Sequence, residues 1–344
     1  MSSDNFEPRV TPWQLEESEF YELESYRQQI EFLLRYAVLA PSSHNTQPWM
    51  FSIVEDGVQV FADYSRRLLV NDPDDRELLM SVGAAITNLR VAAAWFGFET
   101  TVMYESRPEQ SVPVAFVAMR ETCGGDEDLR KLFPAIRRRH TNRNPFTAEP
   151  LSADAVSAVC DIVDQNPGTL CLLRSQDSNR IADLVAEGDR RLMERPAVRE
   201  ELADWLRPSD GSQCDGICTD SLGISSPFSI TNWVMRKMNV GDSPGRRDRE
   251  LIRSAAALIL VSADDDRVSL IRAGEIVERL LLTVTRHELQ YSFLNQPIEA
   301  GDLRRKVQDL ALTPLPPQLL LRIGHAKETT RPAPRRPVES VIAR

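Results

Sequence analysis

The sequence predicts a mixed α+β chain with two similarly built halves. Its 344 residues suit about two domains. Strand-like runs alternate with two long apolar helices, near residues 73–96 and 267–288. Laying Gly83 over Gly274 puts Leu89 on Leu280 and keeps the two apolar stripes in step. That echo leaves two readings open: a unit duplicated head to tail, or an α/β protein with two similar helices.

In chain order, Leu15, Phe20, Tyr26, Ile30, Leu33, Leu34 and Ala37 form one apolar face of a helix over 14–39, stopped by Pro41. Residues 50–54 and 58–62, joined by Glu55-Asp56-Gly57, read as a hairpin. Asp72 can cap the helix over 73–96, and Gly97 can end it. Runs at 99–104 and 112–119 read as strands, and 126–138 as a helix. Helices follow at 152–164, 177–193 and 196–206, with strands at 171–173, 255–261 and 318–323. Residues 208–250 look irregular, and the Pro/Arg-rich tail from 327 to 344 is not expected to form a core of its own.

The charge is −10 and the pI near 5.1, which argues against a nucleic-acid or acidic-membrane binder. No stretch of eighteen apolar residues predicts a membrane span, and the acidic N-terminus has no signal-peptide core. Five scattered cysteines without CxxC fit neither a disulfide framework nor a zinc site and suit a reducing cytoplasm. The four histidines have no metal-ligand spacing, so no metal site is expected. GxGxxG, Walker A and HExxH are absent. Gly241-Asp242-Ser243-Pro244-Gly245 matches GxSxG formally. The residue that should donate an oxyanion-hole N–H is Pro244, which has none, so the segment reads as a turn.

Two basic clusters stand out in this acidic chain: Arg137, Arg138, Arg139 and Arg143, and Arg331, Arg335 and Arg336. In an extended segment Arg139, Thr141 and Arg143 point the same way, as a phosphate site needs; a solvated basic face is the alternative. Ser42-Ser43-His44-Asn45-Thr46-Gln47, between Pro41 and Pro48, is a rigid, uncharged strip rich in donors and acceptors. It suits the edge of a flat cofactor, or is an ordinary capped loop.

Ala40-Pro41-Ser42-Ser43-His44-Asn45-Thr46-Gln47-Pro48-Trp49 resembles the APSxxNxQPW loop of the FMN-binding nitroreductase superfamily. Arg139-His140-Thr141-Asn142-Arg143 is similar to that family's R-x-S/T-x-R/K phosphate motif, and Pro334-Arg335-Arg336-Pro337-Val338 resembles its terminal Arg segment. The order departs from the family's: the serine loop lies in the first half and both phosphate motifs in the second. This arrangement most resembles the single-chain Acg-like branch. The resemblance implies two fused nitroreductase-like units, residues 1–125 and 126–344, with mostly antiparallel sheets. It implies one FMN between them, contacted by Ser42, Ser43, Asn45 and Gln47, with its phosphate held by Arg139, Thr141, Arg143 and Arg335. Asn295 falls where the family places backbone near the reactive flavin nitrogen. Arg246, Arg247 and Arg249 are further candidates for the flavin edge.

Activity would then be hydride transfer from NAD(P)H through FMN to a nitroaromatic or quinone-type acceptor, with no catalytic side chain required. The rival expectation is an FMN-sequestering protein. Its lid would come from 208–250, carrying Leu222, Ile224, Phe228, Ile230, Trp233 and Met235. A monomer is expected, because the fusion supplies the dimer interface.

Overall fold

The computed structural model describes residues 13–107, 109–122, 124–209, 213–222, 227–237, 244–328 and 330–343. A 3₁₀ turn, Glu17–Glu22, precedes α1 (Tyr26–Ala37). The single helix expected over 14–39 is interrupted because Ser25 is a strong N-cap: its side chain accepts from the Gln28 N–H, and Gln28 bonds back. β1 (Trp49–Val54) and β2 (Gly57–Ala62) form the expected hairpin. Next comes α2 (Arg76–Trp95), starting later than expected because Asp75 takes a left-handed conformation. Asp72 still accepts from the Leu78 N–H at 2.9 Å. β3 (Phe98–Tyr104) and β4 (Ala115–Glu121) complete an antiparallel sheet of order β1-β2-β4-β3. The helix expected over 126–138 is two pieces, α3 (Glu127–Arg130) and α4 (Phe133–Ile136). Pro134 explains the break, since it lacks the N–H that a continuous helix would use.

The second half contains α5 (Ala153–Gln165), β5 (Leu170–Leu172), α6 (Ser178–Glu194) and α7 (Pro196–Trp205). A small parallel pair, β6 (Leu206–Arg207) with β7 (Ile217–Cys218), follows. The stretch expected to be irregular carries α8 (Phe228–Lys237) and α9 (Pro244–Arg253). Pro244 opens α9, a position that needs no N–H partner, while residues 241–243 of the GxSxG match lie outside the described residues. Then come β8 (Ala257–Ser262), α10 (Arg267–Arg286), β9 (Gln290–Phe293), α11 (Gln296–Glu299), α12 (Leu303–Ala311) and β10 (Pro317–Gly324). The second sheet has the order β5-β8-β10-β9 and is also antiparallel.

The fold is therefore α+β, with an antiparallel sheet in each half and α2 packed on α10 between them. The helices touch backbone to backbone at the echoed glycines. A Cβ on Gly83 would lie 2.0 Å from the Ile271 carbonyl oxygen, and one on Gly274 would lie 2.0 Å from that of Met80. The contact is reciprocal, each glycine meeting the carbonyl three residues before the other. Leu89 and Leu280 are both fully buried, and one apolar cluster runs through both halves. The C-terminal tail joins the other half of the molecule. Val338 and Val341 are buried, the Phe51 N–H donates to the Val341 carbonyl at 2.8 Å, and the Ala343 N–H donates to Phe51 at 2.7 Å. The tail thus extends the first sheet along β1.

Candidate functional site

A cavity of about 1700 Å³ opens beside the α2–α10 crossing. Small and apolar side chains of that crossing, Met80, Ala84, Gly274 and Val277, form its floor, together with Phe293 and Leu319. Eight of the nine expected cofactor residues line it: Ser42, Ser43, Asn45, Arg139, Thr141, Arg143, Asn295 and Arg335. The exception is Gln47, which has no exposed surface.

The serine loop owes its shape to an unusual backbone. His44, Asn45 and Gln47 all have positive φ, at 51°, 55° and 52°. Asn and His are the side chains found there more often than most; for Gln47 it costs of order 1–3 kcal/mol, and such strain concentrates at functional sites. The loop is held down by its own amides. Asn45 Nδ2 donates to the carbonyls of Gly216 (3.1 Å) and Pro334 (3.0 Å), and its Oδ1 accepts from Arg335 (3.0 Å). Gln47 Nε2 donates to the Cys214 carbonyl (2.9 Å), and its Oε1 accepts from the Arg336 N–H (2.8 Å). Both amides, expected to face a ligand, are engaged within the chain, Asn45 at the cavity wall and Gln47 beneath it. They tie the loop to the 213–218 segment and the C-terminal tail, because a buried amide is satisfied by the nearest backbone. Ser42 Oγ accepts from the Gln47 N–H at 2.9 Å, and Ser43 Oγ donates to Glu77.

One end of the cavity is cationic. Arg139 is 1% exposed; it pairs with Glu278 (3.2 Å) and donates to the Leu39 carbonyl (2.7 Å) and to the Tyr291 hydroxyl. Arg335 donates to the same Leu39 carbonyl at 3.2 Å and lies over the Trp13 ring. Burial pushes the Glu278 carboxyl up to about 7, against the pull of both guanidinium groups. Thr141 is hydrogen-bonded to Tyr291. Arg143 differs: it is half-buried in the cavity wall and makes no hydrogen bond or ion pair among the described residues. Its neighbour His44 is pushed down to about 4 by burial and by the Arg143 charge, so it is neutral at pH 7. An Arg with unused donors on the same cavity wall as two further arginines can take an anion by charge-assisted hydrogen bonds.

A second group of wall residues was not anticipated from the sequence. Glu77 lies on the first turn of α2, accepts from Ser43 and also accepts from Asn295 Nδ2 at 3.3 Å. Glu299, from α11, lies against Glu77, and both line the cavity. Burial, then the Glu77 charge, raise the Glu299 carboxyl well above the ordinary range. Gln296 Oε1 is buried there without a partner.

The covering segment differs from the expected lid. Gln213, Cys214, Gly216, Ile217, Cys218 and Asp220 line the cavity, whereas Phe228, Ile230, Trp233 and Met235 do not. These four lie on α8, which packs on α7 and leaves Ile230 and Trp233 more than half exposed. The side chain of Leu222 and all of Ile224 lie outside the described residues, as do the side chains of Arg246 and Arg247. Arg249 pairs with Asp183 and is not part of the wall. Asp215 fastens the segment by accepting from Arg66 and, at 2.9 Å, from Arg207. Burial pushes the Asp215 carboxyl up, but these two bonds outweigh it and hold it below the usual range. Among the described residues, no cluster of three His, Cys, Asp or Glu is arranged for a metal.

No family model matches the chain. Relatives from Mycobacterium tuberculosis align along almost all of it. The uncharacterized protein Rv3127 is 28% identical over 342 residues, covering 90% of this chain and 92% of its own. Acg, provisionally named an NAD(P)H nitroreductase, is 28% identical over 328 residues, covering 91% and 95%. Rv3131, with the same provisional name, is 26% identical over 332 residues, covering 91% and 90%. Among solved structures, an Anabaena variabilis protein provisionally described as a nitroreductase has a TM-score of 0.46 at 11% identity, covering 90% of this chain and 91% of its own. The FMN-dependent nitroreductase NfnB of Mycobacterium smegmatis, solved with NADPH, has a TM-score of 0.36 at 12% identity, covering 62% and 92%.

Proposed function

We propose that this chain, which belongs with the Acg-like proteins of the nitroreductase superfamily, holds one FMN in the cavity and works as an NAD(P)H-dependent oxidoreductase on flat, electron-poor acceptors such as nitroaromatics or quinones. The observation that carries the reading is Arg143, a half-buried guanidinium with unused donors that lines a large cavity together with Arg139 and Arg335. The residues fit the group. Arg143, Thr141, Arg139 and Arg335 would hold the phosphate, and the three arginines outnumber the one buried carboxylate, Glu278, beside them. Ser42, Ser43 and Asn295 would face the ring and ribityl chain, and Met80, Ala84, Gly274 and Val277 give a flat apolar floor. Ligand cavities are commonly ~300–1,000 Å³, so about 1700 Å³ leaves room for a second molecule against the ring. Bound FMN supplies hydride acceptance from a reduced nicotinamide and electron delivery to the acceptor, chemistry that no side chain here offers.

In this reading residues 1–125 and 126–344 are the two fused units, the reciprocal glycine contact marks their interface, and the protein is a monomer. A storage role is the second reading, favoured by the fastening of Cys214–Gly216 to Asn45, Gln47, Arg66 and Arg207. Two measurements test the proposal. The first is FMN affinity by quenching of flavin fluorescence. Arg143→Ala removes charge-assisted bonds worth ~1.5–3 kcal/mol, so Kd rises about 10–150-fold. An unchanged Kd refutes the phosphate assignment. The second is anaerobic mixing of the loaded protein with NADPH or NADH. Rapid bleaching supports the oxidoreductase; no bleaching, with dithionite still reducing the flavin, supports storage.

A further inference from the structure

The carboxyl pair on the cavity wall, Glu77 and Glu299, has no place in the account so far. Glu77 is 5% exposed and sits at the start of α2, and Glu299 sits on the short turn before α12. One carboxylate, Glu77, collects two hydrogen bonds, from Ser43 in the serine loop and from Asn295 after β9, and Glu299 lies against it on the same cavity wall. Asn295 also fixes the second sheet, since its Oδ1 accepts from the Leu320 N–H of β10 at 3.0 Å. Two side chains from opposite walls, each expected to face the flavin, are therefore joined through Glu77.

We propose that Glu299 is a positioning residue: it donates a hydrogen bond to Glu77 and so fixes Ser43 and Asn295, and with them both polar walls of the flavin site. This rests on the FMN reading given above. The chemistry is that of two carboxyl groups sharing a proton. With the proton present, Glu299 is a donor and Glu77 an acceptor. Without it, two carboxylates face each other in a buried site, and like charges there cannot both persist in place. The surroundings do not relieve this. Asp72, also pushed up to about 7 by burial and by Glu77, adds a third carboxyl, and Arg76 is the cation acting on the group. Arg76 is partly engaged, donating to Gln318 of β10 at 2.9 Å. From α12, Arg304 is held by Asp265. From α6, which meets the turn at Gly188, Glu187 is held by Arg190 and Arg191, and Arg191 also by Asp302, while Asp189 adds another carboxyl. His44, on the loop itself, is neutral.

The test compares wild type with Glu299→Gln, whose amide donates at every pH, and with Glu299→Ala, which cannot donate. FMN Kd is measured from mildly acidic to mildly alkaline pH. In wild type the affinity falls at least tenfold on the alkaline side. Glu299→Gln keeps its acid-side affinity throughout, and Glu299→Ala is weak at all pH values. Parallel profiles for wild type and Glu299→Gln overturn the proposal. A second arm uses flavin-free protein: hydrogen exchange of the amides of residues 42–47, expressed relative to the intrinsic rate. Protection should fall at least tenfold with rising pH in wild type and stay level in Glu299→Gln, and equal behaviour overturns the proposal whether or not Glu299→Ala folds. Should wild type fail to bind FMN while the exchange arm behaves as described, the cofactor reading falls and the role of Glu299 stands.

Discussion

Replacing Gly274 by alanine separates local preference from packing. In a helix alanine is favoured over glycine by ~1 kcal/mol, so sequence alone would expect stabilisation. Packing says the reverse. The new Cβ would lie 2.0 Å from the Met80 carbonyl oxygen and 2.7 Å from both its carbonyl carbon and its Cα. A carbon–oxygen contact needs ~3.3 Å, so the two backbones must part by roughly 1.3 Å. No flexible side chain can yield instead. The flanking side chains, Ile271, Ile86, Leu89 and Leu280, have no exposed surface, so the separation loosens a closed core. Overpacking costs ~1–3 kcal/mol, and backbone against backbone belongs at the upper end. After the propensity gain the net loss is ~2 kcal/mol. At roughly 2 °C per kcal/mol for a chain of this size, Tm falls by about 4 °C. The assay is thermal unfolding of flavin-free protein by circular dichroism, with Gly124→Ala as control, since a Cβ there meets nothing within 4 Å. Gly83→Ala should cost a similar amount, because its contact is the mirror of the first. A Gly274→Ala protein as stable as wild type would refute the close crossing.

Three other predictions concern charged groups. Glu278 has its carboxyl raised to about 7 by burial, so its contribution to stability is full below the ordinary carboxyl value of 4.5 and is lost as pH rises towards 7. Tm measured against pH should show that loss in wild type and not in Glu278→Gln, and parallel curves would remove the assignment. Glu278→Ala, which leaves Arg139 buried without its carboxylate, should lose ~3–5 kcal/mol in denaturant unfolding. Asp215→Asn weakens the bonds from Arg66 and Arg207 that fasten the covering segment. At ~1–2 kcal/mol the FMN dissociation rate should rise about 5–30-fold in a chase with excess free flavin, and an unchanged rate would show that the segment does not gate the site.

Much of this architecture is legible in the sequence because it follows from periodicity and turn chemistry. The hairpin, α2, α10 and the β8 and β10 strands lie within a few residues of their expected bounds, and the Gly83–Gly274 echo marks a real crossing. What the sequence hides is contact between distant segments. A tail rich in Pro and Arg gives no sign that Val338 and Val341 will dock on β1. That Asn45 and Gln47 also bond distant backbone carbonyls is hidden, because a polar loop looks the same whether its partners are a cofactor or the chain itself. Glu77 reads as a favourable acidic residue in the first turn of a helix. Only Ser43, Asn295 and Glu299, brought together from three places in the chain, give it another meaning. The apolar residues of α8 suggested a lid because hydrophobicity reports burial or exposure but not against what.

The reciprocal contact between α2 and α10 also implies a place where a twin of the cavity would lie, on the far side of the helix pair. The register that lays Gly83 on Gly274 lays Ala84 on Glu275 and Tyr104 on Asn295. Where Ala84 leaves space, Glu275 fills it: it accepts from the Tyr104 hydroxyl at 2.7 Å and pairs with Arg90 at 3.7 Å, while Arg272 lies over the Tyr104 ring at 4.8 Å. There an aromatic ring and an ion cluster take up the room that the cavity occupies beside Ala84 and Gly274. In an assembly of identical subunits any substitution appears at both places at once, and neither place can be closed without the other. Because α2 and α10 differ in sequence, the two sides of their crossing can carry different side chains, one leaving space and the other filling it.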